Sequence, residues 1–472
     1  MLRHNVLFTC YSVRFCSRGS SDVAQAGGKE TIFNLFATIS QLMGDWGIWY
    51  YGMLASLKHF LPKSRCSGER DKHYRIFELF ICSLSFMVVL QRKNHMAKSR
   101  SYCNHNGRCD NVFFIMDQTC LSMLSLSKKD TAIMKGIAIC AMLFHHLYCS
   151  LPEGITPYYG VLGWLGALGK VCVSLFLFCS GYGLSAQFDK VGGIKGVTRF
   201  ELKRFVSFYV NYWTVFLLFV PLTVILFHRP LSDAYGEHVN ILKRLIYDLL
   251  GIQGFQSYNI TWWFNKLIIV LWLFFPSLYW IAKQRPLLIS LASVMVARFW
   301  MTIIGWDYYG GLYYYQLPFV LGLVWHLVEN KFYKIKGHVK VKSGLFSFIS
   351  ICLVLIFVYL RMYPVIPHWS GLSMDAFLSC AIALLVISTI GKIRFFSLVL
   401  SILGKHSGNI YLIHTFFNGY WHPEWLHTKT WMRCGVSFAV LLMICFTISL
   451  FLEWAKDRIG VNKAKNRLLE IC

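Results

Sequence analysis

The twenty residues Ala132-Ile-Met-Lys135-Gly-Ile-Ala-Ile-Cys-Ala-Met-Leu-Phe-His145-His146-Leu-Tyr-Cys-Ser-Leu151 are apolar almost throughout. At 1.5 Å per residue such a run makes a helix about 30 Å long, the thickness of the hydrocarbon core of a bilayer. Nine more apolar runs of roughly that length follow, near 165–186, 205–227, 262–282, 287–304, 311–328, 344–361, 374–391, 397–416 and 432–452. The second is interrupted by Lys170 and the ninth by Gly404-Lys405-His406-Ser407-Gly408. The expected fold is therefore all-α, a polytopic membrane protein of about ten transmembrane helices.

Composition agrees. Of 472 residues, 56% are hydrophobic and only 15% charged, and the mean hydropathy is +0.49. A soluble domain carries about 25% charged residues. Disorder is excluded by 38 Phe, 25 Tyr and 16 Trp, and a collagen-like repeat by 35 Gly and 11 Pro.

The formal charge of +25 would suggest nucleic acid in a soluble chain. Here its distribution gives another reading. Alternate breaks between the runs, at 128–129, 190–204, 283–285, 331–342, 392–394 and 456–467, hold most of the Lys and Arg. The remaining breaks hold Arg229, Lys243, Arg244, Arg361, Lys429 and Arg433. Cytoplasmic loops are the basic ones, so both ends of the membrane block are expected in the cytoplasm, as an even number of spans also requires. The partner is a lipid bilayer and not nucleic acid.

The longest outer loop, 228–261, carries apolar residues at 241, 242, 245, 246, 249 and 250. That is helical spacing, and it reads as a helix lying on the membrane surface. Residues 1–122 differ from the rest: their one long apolar run, Ile76–Leu90, is short for a span and contains Glu78. Cys103 and Cys109 with His105 between them lack the paired spacing of a zinc site, so no metal is expected. The segment is expected to be poorly ordered, with Met123 resembling a natural start. The domain reading is thus 1–122 as an extension, 123–460 as the membrane domain and 461–472 as a short basic tail. The nine cysteines after Met123 are scattered singly, and no disulfide framework is implied.

Ionisable groups inside spans are functional candidates by default. Lys135 and His146 are eleven residues apart, three helical turns plus about 20°, so they share a face about 16 Å apart. His145 points about 100° away and suits packing or hydrogen bonding. A neutral His can take and return a proton near pH 7. The plain alternative has Lys135 reaching the membrane surface and the histidines bonded to neighbouring helices. Buried Lys, His and Arg298 also suit a proton-coupled transporter of a glycan precursor or small molecule, although no internal repeat supports one.

Five segments together carry a resemblance. They are Lys135-x10-His146; Val173-Ser-Leu-Phe-Leu-Phe-Cys-Ser180-Gly181-Tyr182; Arg199-Phe-Glu-Leu-Lys203-Arg204; Trp262-Trp263-Phe264; and Leu403-Gly-Lys-His-Ser407-Gly-Asn-Ile-Tyr411-Leu-Ile-His414. In this order the chain resembles the acyltransferase-3 family of membrane O-acyltransferases, bacterial enzymes that acetylate cell-surface or exported glycans, over roughly Ser127 to Asp457. It departs from the family in having Lys for the usual Arg at 135 and Asp130 five rather than three residues before it. Ser207 also stands where a Pro is common.

The resemblance implies an O-acyltransferase in the bacterial cytoplasmic membrane. It would hold no bound cofactor and would use acetyl-CoA or another acyl-CoA as donor and a saccharide or lipid-linked glycan as acceptor. His146 would be the general base, with Lys135 binding a donor phosphate or orienting the site. Arg199, Lys203 and Arg204 would hold the CoA phosphates, or else are ordinary cytoplasmic charge. Ser180 and Tyr182 would line the pocket, unless Gly181 and Gly183 mark this stretch as helix packing. Trp263 belongs with the binding residues, and His414 meets the acceptor or makes an interhelical hydrogen bond.

Overall fold

The computed structural model describes residues 125–149, 151, 160–236, 238–304, 312–333, 343–363, 371–421, 424–427 and 431–471. The readings of Ile76–Leu90, Cys103–Cys109 and Met123 lie outside them. The described residues are helical, with short connections: α1 Lys128–Tyr148, α2 Gly160–Leu168, α3 Val171–Phe188, α4 Gly193–Leu226, α5 Leu231–Tyr235, α6 Ile241–Leu249, α7 Trp263–Gln284, α8 Pro286–Ile304, α9 Leu312–Tyr333, α10 Ser343–Met362, α11 Gly371–Ser388, α12 Arg394–Lys405, α13 Ser407–Thr415, α14 Trp431–Ile459 and α15 Val461–Ile471.

Each of the ten expected stretches holds a helix among its described residues, and the two interrupted ones are broken where their polar residues fall. The second is α2 plus α3, parted at Gly169-Lys170, and the ninth is α12 plus α13, parted at His406. Among the described residues, seven helical segments are long and apolar enough to cross a membrane: α1, α2–α3, α4, α10, α11, α14 and the segment 260–284 that contains α7. The chain is a multi-pass membrane protein.

α1 begins on a capping box. The Ser127 hydroxyl accepts from the Asp130 amide at 3.1 Å, and the Asp130 carboxylate accepts from the Ser127 amide at 2.9 Å. Asp130 therefore has a local structural task. α1 lies in the middle of the bundle, with Ile133, Ala138, Ile139, Leu143 and Leu147 wholly buried.

Glycine sets how closely the central helices approach. A Cβ on Gly136 would collide with the Leu400 carbonyl, and one on Gly404 with the Ala132 carbonyl, so α1 and α12 touch backbone to backbone. Gly181 and Gly322 make the same arrangement between α3 and α9, against the carbonyls of Phe319 and Phe178. Apolar side chains gain little by leaving lipid for a protein interface, so close backbone packing is what holds such helices together. Gly183, two residues along, faces open space. Gly181→Val is therefore expected to cost about 1–3 kcal/mol or more, whereas Gly183→Ala should change stability by less than about 0.5 kcal/mol. Thermal unfolding of the two variants in detergent measures the difference.

The loop helix α6 turns Leu242 and Ile246 outward and buries Asp248, which suits a helix lying on lipid. Asp248 ties the loop down: its carbonyl accepts from the Tyr212 hydroxyl at 2.7 Å, and its carboxylate from the Tyr235 hydroxyl at 2.8 Å and from the Tyr258 amide. Burial raises its carboxyl above the usual range, against the pull of those donors.

Candidate active site

Three imidazoles from two helices meet at the end of α1. His145 and His146 occupy its last turn, with ring centroids 5.2 Å apart, and the His414 ring of α13 lies 4.8 Å from that of His146. The break between α2 and α3 makes room for them. A Cβ on Gly169 would collide with the Ala141 carbonyl of α1, so only glycine lets the broken helix pass this closely. There the His145 Nδ1 lies 2.8 Å from the Gly166 carbonyl. A carbonyl only accepts, so His145 donates through Nδ1 and is tied to the break.

His146 is held through its backbone, whose carbonyl accepts from Asn418 Nδ2 at 3.0 Å. Its ring makes no hydrogen bond among the described residues. The side chain is half-buried, and its ring lies against that of His414. Both ring nitrogens are thus available to a substrate.

His414 is wholly buried. Its Nδ1 donates to the Tyr411 carbonyl at 2.8 Å, and its Nε2 lies 3.2 Å from the Thr415 hydroxyl. Thr415 in turn lies 3.0 Å from the hydroxyl of Thr261, which donates to Asn259 Oδ1 at 2.7 Å. The segment before α7 is clamped to α13 at two further points: the Tyr411 hydroxyl donates to the Thr261 carbonyl at 2.8 Å, and the Trp262 indole to the Leu412 carbonyl at 3.1 Å.

Beside the histidines is a charged cluster. Arg361, in the last turn of α10, donates through Nε to the Asp375 carboxylate of α11 at 2.8 Å, and Asp375 is wholly buried. Lys170, at the break in the second span, lies within electrostatic reach of Arg361, Asp375, His145 and His146. The Tyr315 hydroxyl and Asp375 Oδ2 are buried without a hydrogen-bond partner among the described residues. Sequence reasoning did not single out Lys170, Arg361, Asp375 or Tyr315 for the site. Asp375 was the available signal, as an acidic residue inside an apolar run.

The other expected residues are spread along the bundle. Lys135 shares α1 with His146, about 16 Å away by helical rise, and is half-buried near Cys179. Ser180 accepts from the Trp272 indole at 3.3 Å. Tyr182 lies at the far end of α1, where its hydroxyl donates to the Leu126 carbonyl at 2.8 Å or to Glu329 Oε1 at 2.7 Å, and accepts from the Leu126 amide. From there to His146 is about 27 Å at 1.5 Å per residue.

The basic trio is at that end too. Arg199 donates to the Glu470 carbonyl of α15 at 3.2 Å. Arg204 donates to Gln187 Oε1 at 3.1 Å, and Lys203 is half-buried. Trp263 packs on Phe255 and Tyr315, near the charged cluster. Among the described residues no group of three or more His, Cys, Asp or Glu is placed to hold a metal.

A histidine with both ring nitrogens free of hydrogen bonds among the described residues, in the core of a polytopic bundle, fits acyl transfer to a hydroxyl, and the comparison with known families decides the matter. The acyltransferase-3 family model, described as an acyltransferase domain, matches residues 132–454. The chain belongs to the acyltransferase-3 family. The match runs from the start of α1 to the last turns of α14 and takes in the three histidines and the charged cluster. No curated protein and no solved structure matches this acyltransferase-3 chain. It is a membrane acyltransferase, and the carrier reading is set aside.

Proposed function

We propose that this enzyme transfers an acyl group, acetyl in the first instance, from acyl-CoA to a hydroxyl of a cell-surface or exported saccharide, with His146 as general base. The observation that carries the reading is the His146 ring, half-buried, without a hydrogen bond among the described residues and 4.8 Å from the ring of His414.

In the reaction the acceptor oxygen attacks the thioester carbonyl while His146 takes its proton. The tetrahedral intermediate then collapses, the carbon–sulfur bond breaks, and the proton returns to the departing thiolate as CoA thiol. Arg199, Lys203 and Arg204 take the donor phosphates at the basic end, which the loop charges put in the cytoplasm. Gln187, which Arg204 contacts, is seventeen residues along α3 from Lys170 at the histidine level, about 25 Å. The donor must therefore reach deep into the bundle past Lys135 and Ser180, and Trp263 lies near the acceptor end. The proposal takes 123–460 as the enzyme and 461–472 as a basic tail.

The test uses membranes containing the full chain, radiolabelled acetyl-CoA and cell-envelope glycan. Base-labile label in the glycan is the expected result. Labelled lipid or protein with unlabelled glycan would refute a saccharide acceptor.

A further inference from the structure

Asn418 stands one turn beyond His414 on the helix that starts as α13. That helix runs on from Thr415 into a π turn, Phe416–Tyr420, closed by the Trp421 amide donating to the Phe416 carbonyl at 3.1 Å. Residues four apart share a helix face, so His414 and Asn418 both front the end of α1. The His414 ring meets the His146 ring, and the Asn418 side chain meets the His146 backbone. Helix carbonyls point toward the C-terminus and side chains lean toward the N-terminus. Asn418, on the His146 carbonyl, therefore lies on the outer side of the ring, the side away from the basic loops.

The orientation of the Asn418 amide is fixed. The His146 carbonyl only accepts, so the atom 3.0 Å from it is Nδ2, and Oδ1 faces elsewhere. Oδ1 is buried without a hydrogen-bond partner among the described residues, on a side chain only 2% exposed. Such an atom is costly inside an apolar bundle, where no lipid can satisfy it. A π turn is a second irregularity, of a kind frequent at functional sites. Oδ1 is an acceptor only, so its partner must bring an O–H or N–H. Two more buried atoms without a partner among the described residues, the Tyr315 hydroxyl and Asp375 Oδ2, belong to the charged cluster that Lys170 links to the histidines. This end of the bundle thus holds polar capacity that its own residues leave unused.

We infer that Asn418 is an acceptor-binding residue whose Oδ1 takes the hydroxyl next to the one acylated, so that the enzyme selects a vicinal diol, as a saccharide presents, over an isolated alcohol. This rests on the acyl-transfer reading with His146 as base. The acylated hydroxyl gives its proton to His146 as its oxygen attacks the thioester carbonyl. The C–S bond then breaks, and the thiolate takes the proton from His146. The neighbouring hydroxyl is not consumed: it donates a hydrogen bond to Asn418 Oδ1 and leaves intact. Adjacent hydroxyls of a pyranose stand about a hydrogen-bond length apart. One of them faces the His146 ring while the other faces an amide bonded to the same residue.

The test compares acceptors, using membranes that contain the full chain and radiolabelled acetyl-CoA. The probes are methyl glycosides of glucose, galactose and N-acetylglucosamine, each beside its monodeoxy forms. Wild type is expected to lose roughly threefold to tenfold in kcat/KM for the form lacking the hydroxyl next to the acylated one, the scale of one hydrogen bond. Forms deoxygenated elsewhere should lose less. Asn418→Leu keeps the size and removes both polar atoms. Its lost bond to the His146 carbonyl lowers transfer to every acceptor alike, so the readout is the ratio of parent to deoxy form, which should fall to about one. Asn418→Asp keeps an oxygen in the place of Oδ1, and there the ratio should persist although the rate falls. KM for acetyl-CoA should be unchanged in both variants.

A wild-type enzyme indifferent to the neighbouring hydroxyl overturns the inference with no variant needed, so a misfolded Asn418→Leu does not spare it. An unchanged ratio in folded Asn418→Leu overturns it as well. Wild type that labels no saccharide, envelope glycan included, overturns the acceptor reading along with it. Label in the saccharides with a flat ratio overturns this inference alone.

Discussion

His146→Ala is expected to lower acyl transfer by roughly 10²–10⁴-fold, the usual contribution of a positioned general base, with little change in KM for acetyl-CoA. The ring makes no hydrogen bond among the described residues, so its removal leaves no partner unsatisfied, and its backbone anchor to Asn418 survives the substitution. The loss should therefore appear in kcat and not in the yield of folded protein. His145→Ala is expected to behave in the opposite way. That ring ties α1 to the Gly166 carbonyl at the break in the second span, and losing the bond should lower stability by about 0.5–1.5 kcal/mol. Its acyl transfer should largely survive. Rates and thermal midpoints of the two variants side by side check both statements. His146→Ala membranes as active as wild type would remove His146 from the mechanism.

The two neighbouring histidines show what the sequence could and could not reveal. Helical spacing already separated their faces, and the structure sends one to a backbone carbonyl and the other toward His414. The helices were also legible, because a bilayer needs long apolar runs. Even the two breaks were marked, by Lys170 and by the Gly404–Gly408 stretch. What was hidden depends on which helices become neighbours. Arg361 counts as loop charge in the sequence, since it lies at the end of an apolar run, but packing of α10 on α11 buries it against Asp375. Lys456 reads as one more cytoplasmic charge, yet it is buried and donates to Asn211 Oδ1 at 2.7 Å. Asn259 and Thr261 lie in a loop with no periodicity, and only the clamp between the start of α7 and α13 brings them to His414. Tyr182 belongs to a recognisable segment, and its side chain serves the far end of α1.

The second large effect is expected at the Arg361–Asp375 pair. Arg361→Met is expected to destabilise the enzyme by about 3–5 kcal/mol, because it leaves a wholly buried carboxylate without its partner. Arg361→Met combined with Asp375→Leu should recover most of that loss, since a well-packed apolar pair replaces a buried ion pair at little or no cost. The reason to retain the charges then lies in function. The pair borders the break in the second span, where the Arg361 guanidinium also reaches the Ala167 carbonyl at 3.5 Å and Lys170 lies within electrostatic reach. An apolar replacement would leave Lys170 as the one cation of the cluster without a carboxylate beside it. Thermal unfolding of the single and double variants in detergent separates the two roles. Recovered stability with depressed acyl transfer in the double variant assigns the pair to the site. Recovery of both would make it a packing device only. A loss below about 1 kcal/mol in Arg361→Met would show that Lys170 takes over as the counter-ion of Asp375.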